Sequence, residues 1–267
     1  MPITVICRDK LDVVFIVDSS GSINEKGVDN WSVVKNFLNE VLVGMDIGLD
    51  AVRVGLVEFS MNALLIFDLI KYNNRADMVT EIDAMVYMGG TTNLADGMTV
   101  ARADIFNRDG NRPDVPDIAV IVTDGKPTEK IKNNLPSADS LKQRGVRIVC
   151  VGITDAIDED ELKAIASSPQ DVLLTPNFVS LKQEAVSVLG LLCPANGTAP
   201  QPVTVTIKPT TPIVKTPSPP TLPPVTPPIS TPATTSTTPG KYICHQQTGL
   251  VSLMMPSKAD FYMAPSR

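Results

Sequence analysis

Three short stretches carry the residues best suited to chemistry. Asp18-Ser19-Ser20-Gly21-Ser22 directly follows the apolar run Leu11-Asp12-Val13-Val14-Phe15-Ile16-Val17. Gly89-Gly90-Thr91-Thr92-Asn93 forms a second stretch, and Thr123-Asp124-Gly125 closes the apolar run Ile118-Ala119-Val120-Ile121-Val122. Their side chains are carboxylates and hydroxyls, hard oxygen donors that suit Mg²⁺ or Mn²⁺ and not a soft metal. Ligands of open α/β sheets sit outside the carboxyl ends of the strands, where Asp18 and Asp124 fall. A simpler reading exists for Ser20 and Ser22, which could cap the next helix. It explains either hydroxyl alone but not its match with a distant Thr and Asp.

Positioning such residues needs a rigid scaffold. Strand and helix patterns alternate from Leu11 to Leu192, which implies a doubly wound, mostly parallel α/β sheet with helices on both faces. Short β-branched runs predict strands at 11–17, 52–60, 117–123, 146–153 and 172–174, with a short antiparallel edge strand at 63–67. Apolar periodicity predicts helices over 30–42, 75–86, 92–105, 137–144, 158–166 and 181–192, with Met78, Ile82 and Val86 on one face of the second. Gly145 is a plausible stop for the fourth.

Taken together, the three motifs resemble the von Willebrand factor A (vWA, or integrin I-type) domain over roughly residues 10–193. The resemblance implies a Rossmann-like fold and a metal-ion-dependent adhesion site. Ser20, Ser22 and Thr92 would be direct ligands, and Asp18 and Asp124 would hold metal-bound waters. Thr91 competes with Thr92, but Thr92-Asn93 followed by Gly97 fits the family register better. Neutral hydroxyls leave a cation's charge poorly compensated, so an open position would attract an acidic side chain of a matrix or cell-surface protein. The resemblance also implies a Cys7–Cys193 disulfide, since extracellular members pair cysteines at these flanks. Asp96 could support the site from behind its ligands but reads more simply as a solvated helix residue, and 126–130 reads as an ordinary charged rim loop.

Composition sets bounds. The 267 residues carry a net charge of −6, which argues against a nucleic-acid partner. No apolar run approaches the ~20 residues of a membrane span. Met1–Ile6 lacks the pattern of a signal peptide, which taken literally means a cytosolic protein. The flanking cysteines and the composition after residue 193 point instead to a secreted protein of the extracellular matrix. Cys150 lies in a buried strand pattern and reads as a free apolar thiol, while Cys244 has no assigned partner.

Residues 1–193 are expected to form the vWA domain and 194–240 a Pro/Thr-rich linker like a mucin-type stalk. Asn196-Gly197-Thr198 is an N-glycosylation sequon at its start. Asn30-Trp31-Ser32 also fits the sequon, but its Trp is expected to pack. Residues 241–267 resemble the opening of a peritrophin-type chitin-binding module, truncated because Ala259 and Ala264 stand near expected cysteine positions.

The leading functional expectation is an adhesion or matrix module, not an enzyme, similar to matrilins and collagen VI. Collagen and chitin are candidate partners. Two alternatives are a shell or cuticle protein linking chitin to mineral, and an intracellular vWA scaffold subunit. Catalysis is disfavoured. The only histidine is His245, so no Ser-His-Asp triad forms in the domain, and no phosphate-binding Gly-x-x-x-x-Gly-Lys-Ser/Thr loop exists.

Overall fold

β1 (Leu11–Asp18) is buried along its whole length, because both of its faces are covered. Val13, Phe15 and Val17 face one apolar core, and Val14 and Ile16 face the other. The computed structural model describes residues 7–193 apart from 26–28, 129–130 and 155. Asn196, the Pro/Thr-rich segment 194–240, Cys244 and the tail 241–267 lie outside the described residues, as does Glu129.

Six strands form one sheet in the order β3-β2-β1-β4-β5-β6. They are β2 (Val52–Phe59), β3 (Ala63–Phe67), β4 (Asp117–Thr123), β5 (Arg147–Ile153) and β6 (Val172–Thr175), besides β1. All neighbouring pairs are parallel except β2–β3, which is antiparallel. The crossovers therefore carry helices, and these cover both faces. One face is covered by α1 (Asn30–Val43), α2 (Arg75–Ala84), α6 (Phe178–Leu181) and α7 (Ala185–Leu192). The other is covered by α3 (Leu94–Val100) with its π-helical continuation Ala101–Phe106, α4 (Asn134–Lys142) and α5 (Glu159–Ile165). Short polar side chains start several helices. Asp29 accepts from Ser32 N at 3.1 Å, Asn74 from Asp77 N at 3.0 Å, and Asp158 from Glu161 N at 3.2 Å.

Several helix bounds differ from the periodicity reading. The second helix ends at Ala84, because Met85 turns extended (ψ 132°), so Val86 lies beyond the helix, 78% exposed, and not on its face with the buried Met78 and Ile82. The third starts at Leu94, leaving Thr92 in the preceding loop. The fourth begins at Asn134, since Pro136 is tolerated in a first helical turn. The last helical stretch begins earlier, at Phe178, through a 3₁₀ turn at Lys182–Glu184. No helix among the described residues is long and apolar enough to cross a membrane.

At the pole opposite the strand ends, Cys7 is bonded to Cys193, with Cα atoms 5.3 Å apart. Cys7 also exchanges backbone hydrogen bonds beside the end of α1, Cys7 N to Gly44 O at 3.1 Å and Asp46 N to Cys7 O at 3.0 Å. Nearby, fully buried Asp12 accepts from Arg112 N, Nε and Nη2 at 2.8, 2.9 and 2.6 Å. Cys150 is a buried free thiol.

Candidate functional site

β1 and β4 are adjacent at the point where the strand order reverses, so their carboxyl ends open into one crevice. Asp18 ends β1, and Asp124 follows the last residue of β4. Asp18 Oδ1 accepts from Ser20 N at 2.8 Å, which folds the loop back, and its Oδ2 accepts from Thr123 Oγ1 at 2.6 Å. Ser22 Oγ donates to Asp124 Oδ1 at 2.6 Å and lies 3.2 Å from Ser20 Oγ. The four predicted residues Asp18, Ser20, Ser22 and Asp124 thus converge in one hydrogen-bonded cluster.

Thr91 and Thr92 lie on a second loop that packs against the first, and Thr92 makes no hydrogen bond with Asp18, Ser20, Ser22 or Asp124. Gly21 N donates to Gly90 O at 2.8 Å, and Gly89 N donates to Ser19 O at 2.9 Å, which locks the two loops side by side. Gly89 and Gly90 have φ of 65° and 86°, a region that other residues enter at a cost. A Cβ on Gly21 would lie 3.1 Å from Gly90 O, so the loops approach as closely as backbone allows. Thr92 is 5% exposed. Its N–H donates to Thr128 Oγ1 and its carbonyl accepts from Thr128 N, both at 2.9 Å. The neighbouring hydroxyl of Thr91 is buried without a hydrogen-bond partner.

The electrostatics suit a cation. Burial pushes Asp124 up to about 6, against the hydrogen bond from Ser22, and the charge of Asp18 adds to the rise. Burial also raises Asp18, against hydrogen bonds from Thr123 and Ser20. Among the described residues neither carboxylate has a salt-bridge partner. Two buried, uncompensated carboxylates next to hydroxyls are a donor set that a hard divalent cation fits. Among the described residues no three His, Cys, Asp or Glu side chains gather at one point, so any metal here depends on hydroxyl ligands.

Supporting residues emerge that the motifs did not mark. Thr128, read as part of an ordinary rim loop, brackets Thr92 on both backbone sides. Tyr87 Oη donates to Ser20 O at 2.8 Å. Thr154 Oγ1 donates to Asp124 O at 3.0 Å while holding φ 74°, a strained conformation for a β-branched residue. Such long-range anchors leave no local signal in a sequence. Asp96, read as solvated, is half-buried and accepts from Ala63 N at 2.9 Å, fixing the start of β3.

With this geometry in place, comparison with known families matches the von Willebrand factor type A domain to residues 12–186. The chain belongs to this family. Its vWA domain is similar to the Collagen alpha-4(VI) chain of Mus musculus, 36% identical over 187 residues, which are 68% of this chain and 8% of that one. It is 31% identical to Matrilin-1 of Gallus gallus over 160 residues, 60% of this chain and 31% of that one. Among solved structures, proximal thread matrix protein 1 from the mussel byssus, with a zinc-occupied MIDAS motif, superposes with a TM-score of 0.65 at 30% identity. That match covers 71% of this chain and 47% of the byssus protein. The vWA assignment, the mostly parallel fold and the resemblance to collagen VI and matrilin expected from the sequence are thereby borne out.

Proposed function

We propose that this vWA domain is a non-enzymatic adhesion module of a secreted matrix protein, binding an acidic partner through a divalent cation. The observation that carries the reading is the convergence of Ser20, Ser22, Asp18 and Asp124 at the β1/β4 crevice, with Thr92 held on the adjoining loop. Ser20, Ser22 and Thr92 are the direct ligands in this proposal, and Asp18 and Asp124 act through water. Mg²⁺ or Mn²⁺ suits the all-oxygen donor set, although the byssus relative is described with zinc. When bound, the cation supplies an open coordination position that prefers a hard anionic oxygen.

The protein's own contribution is preorganisation. Thr123 and the Ser20 amide fix Asp18, Thr128 fixes Thr92, and the locked loops leave little to rearrange on binding. Residues 1–193 act as the binding domain, 194–240 as a spacer and 241–267 as a short tail. Asn196 carries a glycan in this reading. The acidic partner belongs to a matrix or cell-surface protein, with collagen as the first candidate and chitin reached through the tail as the second. Relatives named as collagen, matrilin and thread matrix chains support extracellular placement.

The test uses Mn²⁺-loaded full-length chain and glutarate as a carboxylate probe, read by water-proton relaxation. Glutarate should displace Mn²⁺-bound water and lower the relaxation enhancement, and EDTA should abolish both. A relaxation signal that glutarate leaves unchanged would contradict an open, acid-accepting position.

A further inference from the structure

A groove with about 500 Å³ of free space lies at the β2/β3 edge of the sheet, outside the metal-type cluster. Leu64 and Ile66 of β3, Ala84 of α2, and Val86 and Met88 of the following loop line it. Glu58 of β2 also lines it. That glutamate is only 2% exposed, and its Oε1 is buried with no hydrogen-bond partner.

A buried carboxylate with an orphan oxygen is costly, and a hydrogen-bond donor removes the cost, a cationic donor most strongly. Three neighbours bear on it. The Ser19 hydroxyl is within reach of the Glu58 carboxyl and lowers its pKa, but burial outweighs this and the net shift is upward. Lys35 is the nearest positive charge, yet its Nζ is committed to the carbonyls of Asp83 at 2.9 Å and Met85 at 3.4 Å and makes no salt bridge with Glu58. Glu81, also on the groove, is already engaged by Tyr72 Oη at 2.6 Å and Lys71 Nζ at 3.5 Å. Glu58 is therefore the one groove carboxylate among the described residues left without a donor on one oxygen.

The walls match the rest of such a ligand. Leu64 and Val86 are 50% and 78% exposed, an apolar surface that nothing in the described chain covers. Met88, a flexible side chain, also lines the groove, its Sδ accepting from Ser60 Oγ at 4.0 Å. An aliphatic stem ending in a compact positive charge satisfies both the walls and the floor.

We infer that this groove is a second recognition site, taking a lysine or arginine side chain of a basic segment on a partner protein. The alkyl stem lies along Leu64, Ile66 and Val86, and the ammonium or guanidinium reaches Glu58. The inference stands independently of the cation reading, because it uses no residue of the Asp18–Asp124 cluster.

The test is an NMR titration of ¹⁵N-labelled full-length chain with n-butylammonium, n-butylguanidinium and, as neutral control, n-butanol, all without divalent metal. The cationic probes should give saturable shifts at Leu64, Ile66, Val86 and Met88 with a Kd on the order of 10 mM, as expected for so few atoms. Glu58→Gln, which is isosteric, should weaken them about tenfold or more, and n-butanol should bind about tenfold more weakly than either cation. Equal binding of n-butanol, or shifts unchanged in Glu58→Gln, would overturn the proposal. Shifts scattered over exposed acidic residues with none in the groove would also overturn it. If Glu58→Gln fails to fold, the comparison of cationic and neutral probes on the parent chain decides alone.

Discussion

Removing the Cys7–Cys193 bridge should destabilise the domain strongly without touching the cation site. The bridge joins residues 186 apart, so it closes nearly the entire fold into one loop. The chain-entropy relation gives about 5 kcal/mol for a loop of that length, and native bridges typically deliver about 2–5 kcal/mol. Part of the anchoring survives without the bond, because Cys7 keeps its backbone pairing with Gly44 and Asp46, and Cys193 N still donates to Leu189 O at 2.9 Å. A loss of about 3 kcal/mol is therefore expected for Cys7→Ala/Cys193→Ala. The assay is urea unfolding of parent and variant at pH 7.5. With an m-value of about 2–3 kcal/mol/M, the midpoint should fall by about 1–1.5 M at unchanged m. β1 separates the bridge from Asp18 by eight residues, roughly 26 Å of strand, so Mn²⁺ affinity should change by less than about twofold. A midpoint shift below about 0.3 M would refute the loop-closure reasoning. A large loss of Mn²⁺ affinity would refute the independence of the two poles.

Other parts of the fold make further predictions. Arg112→Ala leaves Asp12 buried without its partner and should cost about 3–5 kcal/mol in urea unfolding, and Arg112→Lys should recover only part because the fork to Asp12 is lost. Burial first, then the charge of Asp12, pushes Asp117 up to about 6 from the ordinary 3.8, against the hydrogen bond from Asn111. Because the folded state then holds a proton that the unfolded state has lost, this group's contribution to stability falls as pH rises from about 4 to about 6 and stays low above. Asp117→Asn should therefore be more stable than the parent at pH 7.5 by about 1–3 kcal/mol, with the difference vanishing near pH 4; equal stability at both pH values would count against it. Thr128→Val removes the acceptor of the Thr92 N–H and should weaken Mn²⁺ binding several-fold while costing only about 1 kcal/mol of stability, since Thr128 is exposed and water can substitute.

The fold was legible where local pattern and burial coincide. β1 and β4 carry the unbroken apolar runs 13–17 and 118–122 because both faces are covered, so these runs stood out in the sequence. The oxygen-rich loops stood out because they follow those runs directly. What escaped was whatever depends on tertiary contact. Val86 continues the apolar spacing of α2, but Met85 leaves the helix and carries Val86 to the surface. Thr92 precedes its helix instead of starting it, because its backbone is occupied by Thr128 from 36 residues away. Asp96 looks like a surface acid until β3 folds back and presents Ala63 N to it. Glu58 is a charged residue in a strand that otherwise reads as buried, and its isolation beneath the groove needs β3 and the loop after α2 in place.

The central claim is that hydroxyls and two buried carboxylates at the β1/β4 crevice hold a hard divalent cation. Isothermal titration of Mg²⁺ and Mn²⁺ into the full-length chain, beside Ser22→Ala and Asp124→Ala, tests it most directly. The account predicts one-to-one binding by the parent, weakened about tenfold or more in each variant. A parent that takes up neither ion, or variants that bind as the parent does, would contradict it.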